Sequence, residues 1–131
     1  MDTQKFSLIK RAKSFTHAGR GVWILIKTTH NAWVHIAILF VAAILGYYYE
    51  ISQTDWMLLT FAGGLVLAAE ALNTAIEIDI NLTSPEYHPF ARDTKDVAAG
   101  AVLIAAVAAA LIGAIIFVPY IFPLLFVQAI A

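Results

Sequence analysis

The stretch 69–81, AEALNTAIEIDIN, places reactive side chains inside an otherwise apolar run. Glu70, Asn73, Thr74 and Glu77 stand where a helix facing lipid would carry leucine or valine. On an α-helix, positions 70 and 77 fall within about 20° of each other and about 10 Å apart, with 73 and 74 between them. An acid at the centre of a membrane helix costs roughly 3 kcal/mol, so these four residues, the acidic stripe, predict a functional site. The alternative is that they only hold helices together, with Glu77 solvated.

The depth of each group indicates how it would act. A carboxylate that loses hydration is a stronger base, which suits the deeper Glu70 to remove a proton. Glu77, nearer to water, suits a divalent cation, because Mg²⁺ usually takes one or two protein carboxylates plus substrate phosphates. Asn73 can orient either partner, and Lys95, at the predicted start of the next helix, offers positive charge to phosphate. This set describes phosphoryl transfer onto a lipid hydroxyl, although the sequence has no P-loop or protein-kinase motif.

The composition places these groups in a membrane. The 131 residues are 61% hydrophobic, with a mean hydropathy of +0.80, which predicts one membrane-embedded domain, 1–131. There is no cysteine, so disulfides and thiolate chemistry are excluded. The basic residues are few and adjoin apolar segments, which argues against a nucleic-acid partner.

Three apolar segments predict an all-α membrane protein. Transmembrane helices are expected at 32–49, 56–80 and 96–118, of which the first is short for the roughly 20 residues a span needs. The third is rich in alanine and glycine, which let membrane helices approach closely. Asp93 is expected to cap its N-terminus and Pro119 to end it.

The N-terminal region, 5–30, is basic and intermittently apolar. This pattern predicts an amphipathic helix lying in the membrane interface, with a break near Gly19 and Gly21. A basic arm that merely adheres to the membrane is the alternative.

The basic residues also orient the chain. Every Lys and Arg lies between Lys5 and Lys27 or is Arg92 or Lys95. By the positive-inside rule these regions are cytoplasmic, so three spans put the N-terminus inside and the C-terminus outside. The acidic stripe and the loop that follows it then meet at the cytoplasmic interface.

Other polar residues near the spans have plainer interpretations. His35, within the first span, is interpreted as a hydrogen-bonding residue of helix packing, and His30 as a solvated interfacial residue. The tyrosines at 47–49 are interpreted as an aromatic belt at the outer interface.

Three blocks of sequence carry a family resemblance. EALNTAIE at 70–77, SPEYHP at 84–89 and KDVAAGAV at 95–102 resemble the small bacterial diacylglycerol kinase / undecaprenol kinase family over nearly the whole chain, most weakly at the N-terminus. The resemblance implies a homotrimer of three-span protomers in the bacterial inner membrane, with active sites shared between neighbours. It implies that MgATP phosphorylates a lipid alcohol, and the last two blocks are more similar to the undecaprenol branch than to the diacylglycerol branch.

The resemblance also assigns residues. It makes Glu70 the catalytic base with Asn73 beside it, Glu77 the ligand of metal and nucleotide phosphate, and Ala99 a substrate contact together with Glu70. The nucleotide contacts that it implies are Lys10, His17, Glu77, Glu86, Tyr87, His88, Lys95 and Asp96.

Two positions depart from the family pattern. The family generally has glutamate, a second metal ligand, where Thr29 stands, and aspartate where Asn81 stands. Threonine brings no charge, which predicts weaker cation binding. Two hypotheses follow. The chain is a lipid kinase with altered metal affinity, or it is a non-catalytic membrane assembly. Such an assembly would be either a small channel or a degenerate family member that still binds nucleotide. A proton-coupled transporter is a remoter reading, because the chain has no inverted repeat.

Overall fold

The computed structural model describes residues 8–123, and all of their regular structure is helical. The helices are α1 (Leu8–Thr28), α2 (His30–Tyr48), α3 (Gln53–Thr83) and α4 (Pro89–Ile121). The last three are long and apolar enough to cross a membrane. The predicted class, an all-α protein with three membrane helices after an N-terminal helix, is therefore confirmed.

The start of α4 differs from the prediction. The helix begins at Pro89, seven residues before the predicted span, and its N-cap is His88, whose Nδ1 accepts a hydrogen bond from the Phe90 amide at 3.3 Å. Proline suits the first helical position because its φ is already helical and its missing N–H would have no partner there. The expected cap at Asp93 was wrong. Lys95 consequently lies almost two turns inside the helix, so the charge of a helix N-terminus no longer supports its role.

Two predicted helix breaks are absent. Helix α1 runs without interruption through Gly19 and Gly21, because a glycine costs a helix only about 1 kcal/mol and 21 helical residues outweigh that penalty. Helix α4 includes Pro119 and ends two residues later. Proline disturbs the turn that precedes it, and membrane helices tolerate this where neighbouring groups satisfy the freed backbone.

Helices α2 and α3 pack closely through two glycines. A Cβ atom at Gly63 would overlap the end of the Leu39 side chain, and one at Gly46 would lie 2.9 Å from two atoms of the Trp56 indole ring. These contacts, at two levels of an antiparallel pair, fix the register of α2 on α3. In that register position 35 of α2 lies opposite position 70 of α3.

Gly46→Ala should destabilise the protein. The new methyl group would meet the Trp56 ring at 2.9 Å and Ile51 Cδ1 at 3.0 Å, and a rigid indole cannot yield as a flexible side chain can. Overpacking of this kind costs about 1–3 kcal/mol, so we expect a lower unfolding temperature in detergent. Gly64→Ala is the matched control, since nothing in the described chain lies within 4 Å of its Cβ position. Equal unfolding temperatures for the two variants would contradict this packing.

Helix α3 is the central helix of the described chain. It packs against α4 along most of its length and also contacts α2 and α1. At one end, residues of α3, α4 and the α2–α3 turn form an apolar cluster made of Ile51, Leu59, Ile116 and Phe117. Tyr49 stacks on Tyr120 beside this cluster, with ring centroids 5.4 Å apart. The acidic stripe lies toward the other end of α3.

Candidate active site

Glu70 is the most buried polar residue of the described chain, with a relative exposure of 0%. Neither carboxylate oxygen has a hydrogen-bond partner among the described residues. Oε1 lies 3.3 Å from Nε2 of His35 on α2, which is within ion-pairing distance but lacks the alignment of a hydrogen bond. Burying a polar group without hydrogen bonds is costly. The buried carboxylate therefore keeps its hydrogen-bonding capacity unused within the described chain.

Asn73 links the buried and exposed parts of the acidic stripe. Its Nδ2 donates to Oε1 of Glu77 at 3.1 Å, one turn further along α3. Asn73 is buried, its Oδ1 has no partner among the described residues, and Glu77 is exposed. The stripe thus runs from a closed end at Glu70 to an open end at Glu77.

A chain of hydroxyl groups joins the start of α2 to the same turn of α3. Thr74 Oγ1 donates to the backbone oxygen of Glu70 at 2.9 Å, and Thr29 Oγ1 lies 2.9 Å from Thr74 Oγ1. Because the Thr74 hydrogen is already used, Thr29 must be the donor of the second bond. Thr29 occupies the N-cap position of α2 but makes no side-chain cap bond there. Its hydroxyl therefore serves the contact between helices and not the cap.

The loop between α3 and α4 forms a polar pocket of about 290 Å³ beside the end of the stripe. Lys95 Nζ donates to Asn81 Oδ1 at 2.7 Å. Because this partner is a neutral amide, the bond does not neutralise the positive charge, which could attract an anion. The pocket lining includes four residues that the family resemblance assigns to the nucleotide, namely Glu86, Tyr87, His88 and Lys95.

The remaining predicted site residues are spread over the surface. His17 on α1 and both Asp96 and Ala99 on α4 are exposed. Lys10 lies in α1, but its side chain is outside the described part of the structure. Within the described residues, polar side-chain contacts of the stripe come from α2, from the α1–α2 junction and from α3 itself.

An apolar groove of about 850 Å³ runs between α3 and α4 and includes Asn73 in its lining. Leucine, isoleucine, valine and alanine make up most of its wall, with Asp93 and Thr94 at the loop end. A groove of this composition suits a hydrocarbon chain whose polar end lies near Asn73.

The described residues contain no group of three or more histidine or acidic side chains that could hold a metal ion by themselves. Glu77 is an exposed carboxylate, and Thr29 contributes only a hydroxyl. Such a set fits Mg²⁺ held through one carboxylate and the phosphates of a nucleotide, and it does not fit a cage built from protein alone.

His35 was expected to make a packing contact, but its partner was not foreseen. The structure places its ring against the carboxylate of the predicted base. The available signal was a titratable residue inside a membrane span, which is itself a mark of function. Thr74 was included in the stripe, whereas its bond to Thr29 was not predicted.

Comparison with known proteins identifies the family of the chain. The sequence model of the prokaryotic diacylglycerol kinase family matches residues 16–117. The chain is 42% identical over 107 residues to the undecaprenol kinase of Bacillus subtilis (strain 168), covering 82% of this chain and 87% of that protein. It is 35% identical over 111 residues to a diacylglycerol kinase of Synechocystis sp., covering 81% of this chain and 61% of that protein. The chain therefore belongs to the prokaryotic diacylglycerol kinase family, and it is a membrane lipid kinase with a nucleotide as co-substrate.

Proposed function

We propose that this protein transfers the γ-phosphate of ATP to the hydroxyl group of a long-chain lipid alcohol, with Glu70 as the general base. One observation carries the proposal. A fully buried carboxylate with no hydrogen bond to either oxygen lies at the closed end of a polar stripe that opens at Glu77. The whole chain, 1–131, acts as one kinase domain, with its N-terminus at the cytoplasmic face of a bacterial inner membrane and its C-terminus outside.

The reaction uses the stripe from both ends. Glu70 accepts the proton of the lipid hydroxyl, whose oxygen bonds to the γ-phosphorus as the bond to the bridging oxygen breaks and ADP leaves. Asn73 lies one turn from the base, and its amide donates to Glu77, one turn further along α3. The groove between α3 and α4 receives the hydrocarbon chain. Positioning of this kind supplies most of the catalysis in phosphoryl transfer.

Glu77 would hold Mg²⁺ together with the nucleotide phosphates, and the ion would neutralise charge that develops on the transferred group. Lys95 contributes a second positive charge from the loop pocket, since its partner Asn81 is neutral. The nucleotide also contacts Glu86, Tyr87 and His88 in this proposal.

The functional unit in this proposal is a homotrimer with active sites shared between neighbours. Exposure of His17 and Asp96 supports it, because these predicted nucleotide contacts are available to a second copy of the chain. Large apolar side chains also cover the outer faces of α2 and α4, where lipid or neighbouring protomers contact them. Examples are Val34, Phe40, Leu103 and Leu111.

An acceptor panel tests the activity. The purified chain in mixed micelles with Mg²⁺ and ATP should phosphorylate undecaprenol, with diacylglycerol as the second acceptor. The 42% identity to an undecaprenol kinase favours the first. Formation of radiolabelled lipid from γ-labelled ATP is the measurement. No ATP-dependent product with either lipid would refute the proposal.

A degenerate member that binds nucleotide without turnover is the second candidate. Thr29 is the observation that favours it, because its hydroxyl is used in the bond to Thr74 and brings no charge to a cation. Thr29→Glu separates the two readings. If the protein is a kinase with a weakened metal site, the added carboxylate should lower the half-saturating Mg²⁺ concentration about tenfold, since charge count sets the affinity of such sites.

Thr29→Gln is the matched control for this change, because glutamine has the same length without the charge and also loses the bond to Thr74. A response of both variants to the same extent would assign the effect to that lost bond. An inactive wild type that gains turnover only with glutamate would establish the degenerate reading.

A further inference from the structure

His35 and Glu70 form an isolated acid–base pair inside the membrane part of the protein. The His35 side chain is 20% exposed and that of Glu70 is 1% exposed, with 3.3 Å between Nε2 and Oε1. The interhelical contact follows from the register set by Gly46 and Gly63. The helix packing thus holds an imidazole nitrogen beside the buried acid.

A base at this position needs a partner. A general base must lie within hydrogen-bond reach of the proton that it removes, so its carboxylate has to be held in one orientation. Among the described residues neither oxygen has a hydrogen-bond donor. The hydroxyl group of Thr74 donates to the backbone oxygen of Glu70 and not to its carboxylate, and the amide of Asn73 donates to Glu77.

We propose that His35 is the positioning residue of Glu70: its Nε2–H orients the carboxylate toward the lipid hydroxyl. A carboxylate only accepts hydrogen bonds, so the attractive arrangement places a proton on Nε2. The imperfect alignment fits this role, because catalytic hydrogen bonds tighten when substrate binds. The inference rests on the proposed lipid kinase reaction and extends it to a residue of α2.

Space beside the ring gives the proposal a specific test. His35 lines a groove of about 500 Å³ between α2, α3 and α4, and the facing wall of α4 consists of small residues such as Ala106, Ala109 and Gly113. Removal of the ring in His35→Ala therefore leaves a cavity that is accessible from the membrane. Free imidazole is small and crosses apolar phases in its neutral form, so it can replace the missing side chain.

The experiment compares variants of the full-length protein in micelles with undecaprenol, ATP and Mg²⁺. His35→Ala should lose about 100-fold in kcat, as expected when a reacting group is misplaced, with little change in KM for ATP. His35→Gln, which restores an N–H donor, should recover most of that loss. Imidazole at millimolar concentration should raise the rate of His35→Ala and leave Glu70→Gln inactive. His30→Gln is the matched control on the same helix, and its rate should equal that of the wild type.

The outcomes separate the two proposals. An inactive wild type would overturn the lipid kinase reaction and this inference with it. Wild-type kcat in His35→Ala, beside an inactive Glu70→Gln, would overturn the role of His35 alone. A loss in His35→Ala that neither glutamine nor imidazole reverses would assign His35 to packing and also overturn the inference.

Discussion

Glu70→Gln should lower kcat by at least about 100-fold, because general-base catalysis contributes roughly 10²–10⁴ in rate. Glutamine has nearly the same shape as glutamate, so it fits the fully buried position and can still contact His35. Its amide nitrogen is not basic, so the lipid hydroxyl would keep its proton. The measurement is turnover at saturating ATP and lipid, together with the oligomeric size in detergent, which should not change.

Glu50→Gln is the matched control for this prediction. Glu50 lies in the exposed turn between α2 and α3, far along α3 from the acidic stripe, and the same chemical change there should leave turnover unaltered. Near-normal activity in Glu70→Gln would remove the general base from the mechanism, and the buried carboxylate would then be an element of helix packing.

The acidic stripe was predictable because it depends only on helix geometry. Residues at 70, 73, 74 and 77 share one face of any α-helix, whatever surrounds it. The apolar run in which they lie predicts that this segment is a helix. The structure buries Glu70 between helices and leaves Glu77 exposed. The catalytic roles of these residues stay predictions.

The partners of the stripe were not predictable, because they depend on how α2 lies against α3. That register is set by Leu39 on Gly63 and Trp56 on Gly46, contacts between residues distant in sequence. A shift by one turn would separate His35 from Glu70. Neither periodicity nor composition constrains such a shift.

The errors at helix ends have a different origin. The sequence offers two N-cap candidates for α4, namely Asp93 and His88 followed by Pro89. The sequence interpretation selected Asp93, whereas the helix begins after His88. The proline fixes its own φ and leaves no amide unsatisfied, whereas Asp93 lies within the helix beside Arg92, at 3.3 Å. Thr29 shows the same ambiguity, since its hydroxyl bonds Thr74 on another helix and does not cap its own.

Glu77→Gln should raise the Mg²⁺ concentration for half-maximal activity at least tenfold. The glutamine Oε1 can still accept the hydrogen bond that Asn73 Nδ2 donates at 3.1 Å, so the local geometry should survive while the negative charge is lost. No group of three or more histidine or acidic side chains that could hold a metal ion exists among the described residues, so Glu77 would be the principal protein ligand in this proposal. Even partners outside the first coordination sphere typically contribute 10–100-fold to metal affinity.

Asp79→Asn is the control, because it removes an exposed charge two residues away, on nearly the opposite side of α3. If Glu77 acts through the cation and not through the overall surface charge, Asp79→Asn should leave the Mg²⁺ dependence unchanged. High Mg²⁺ should then recover much of the Glu77→Gln rate, since the base at Glu70 and its contact with His35 remain in place. An unaltered Mg²⁺ titration for Glu77→Gln would show that the cation is held by the nucleotide alone, and the open end of the stripe would lose its assigned role.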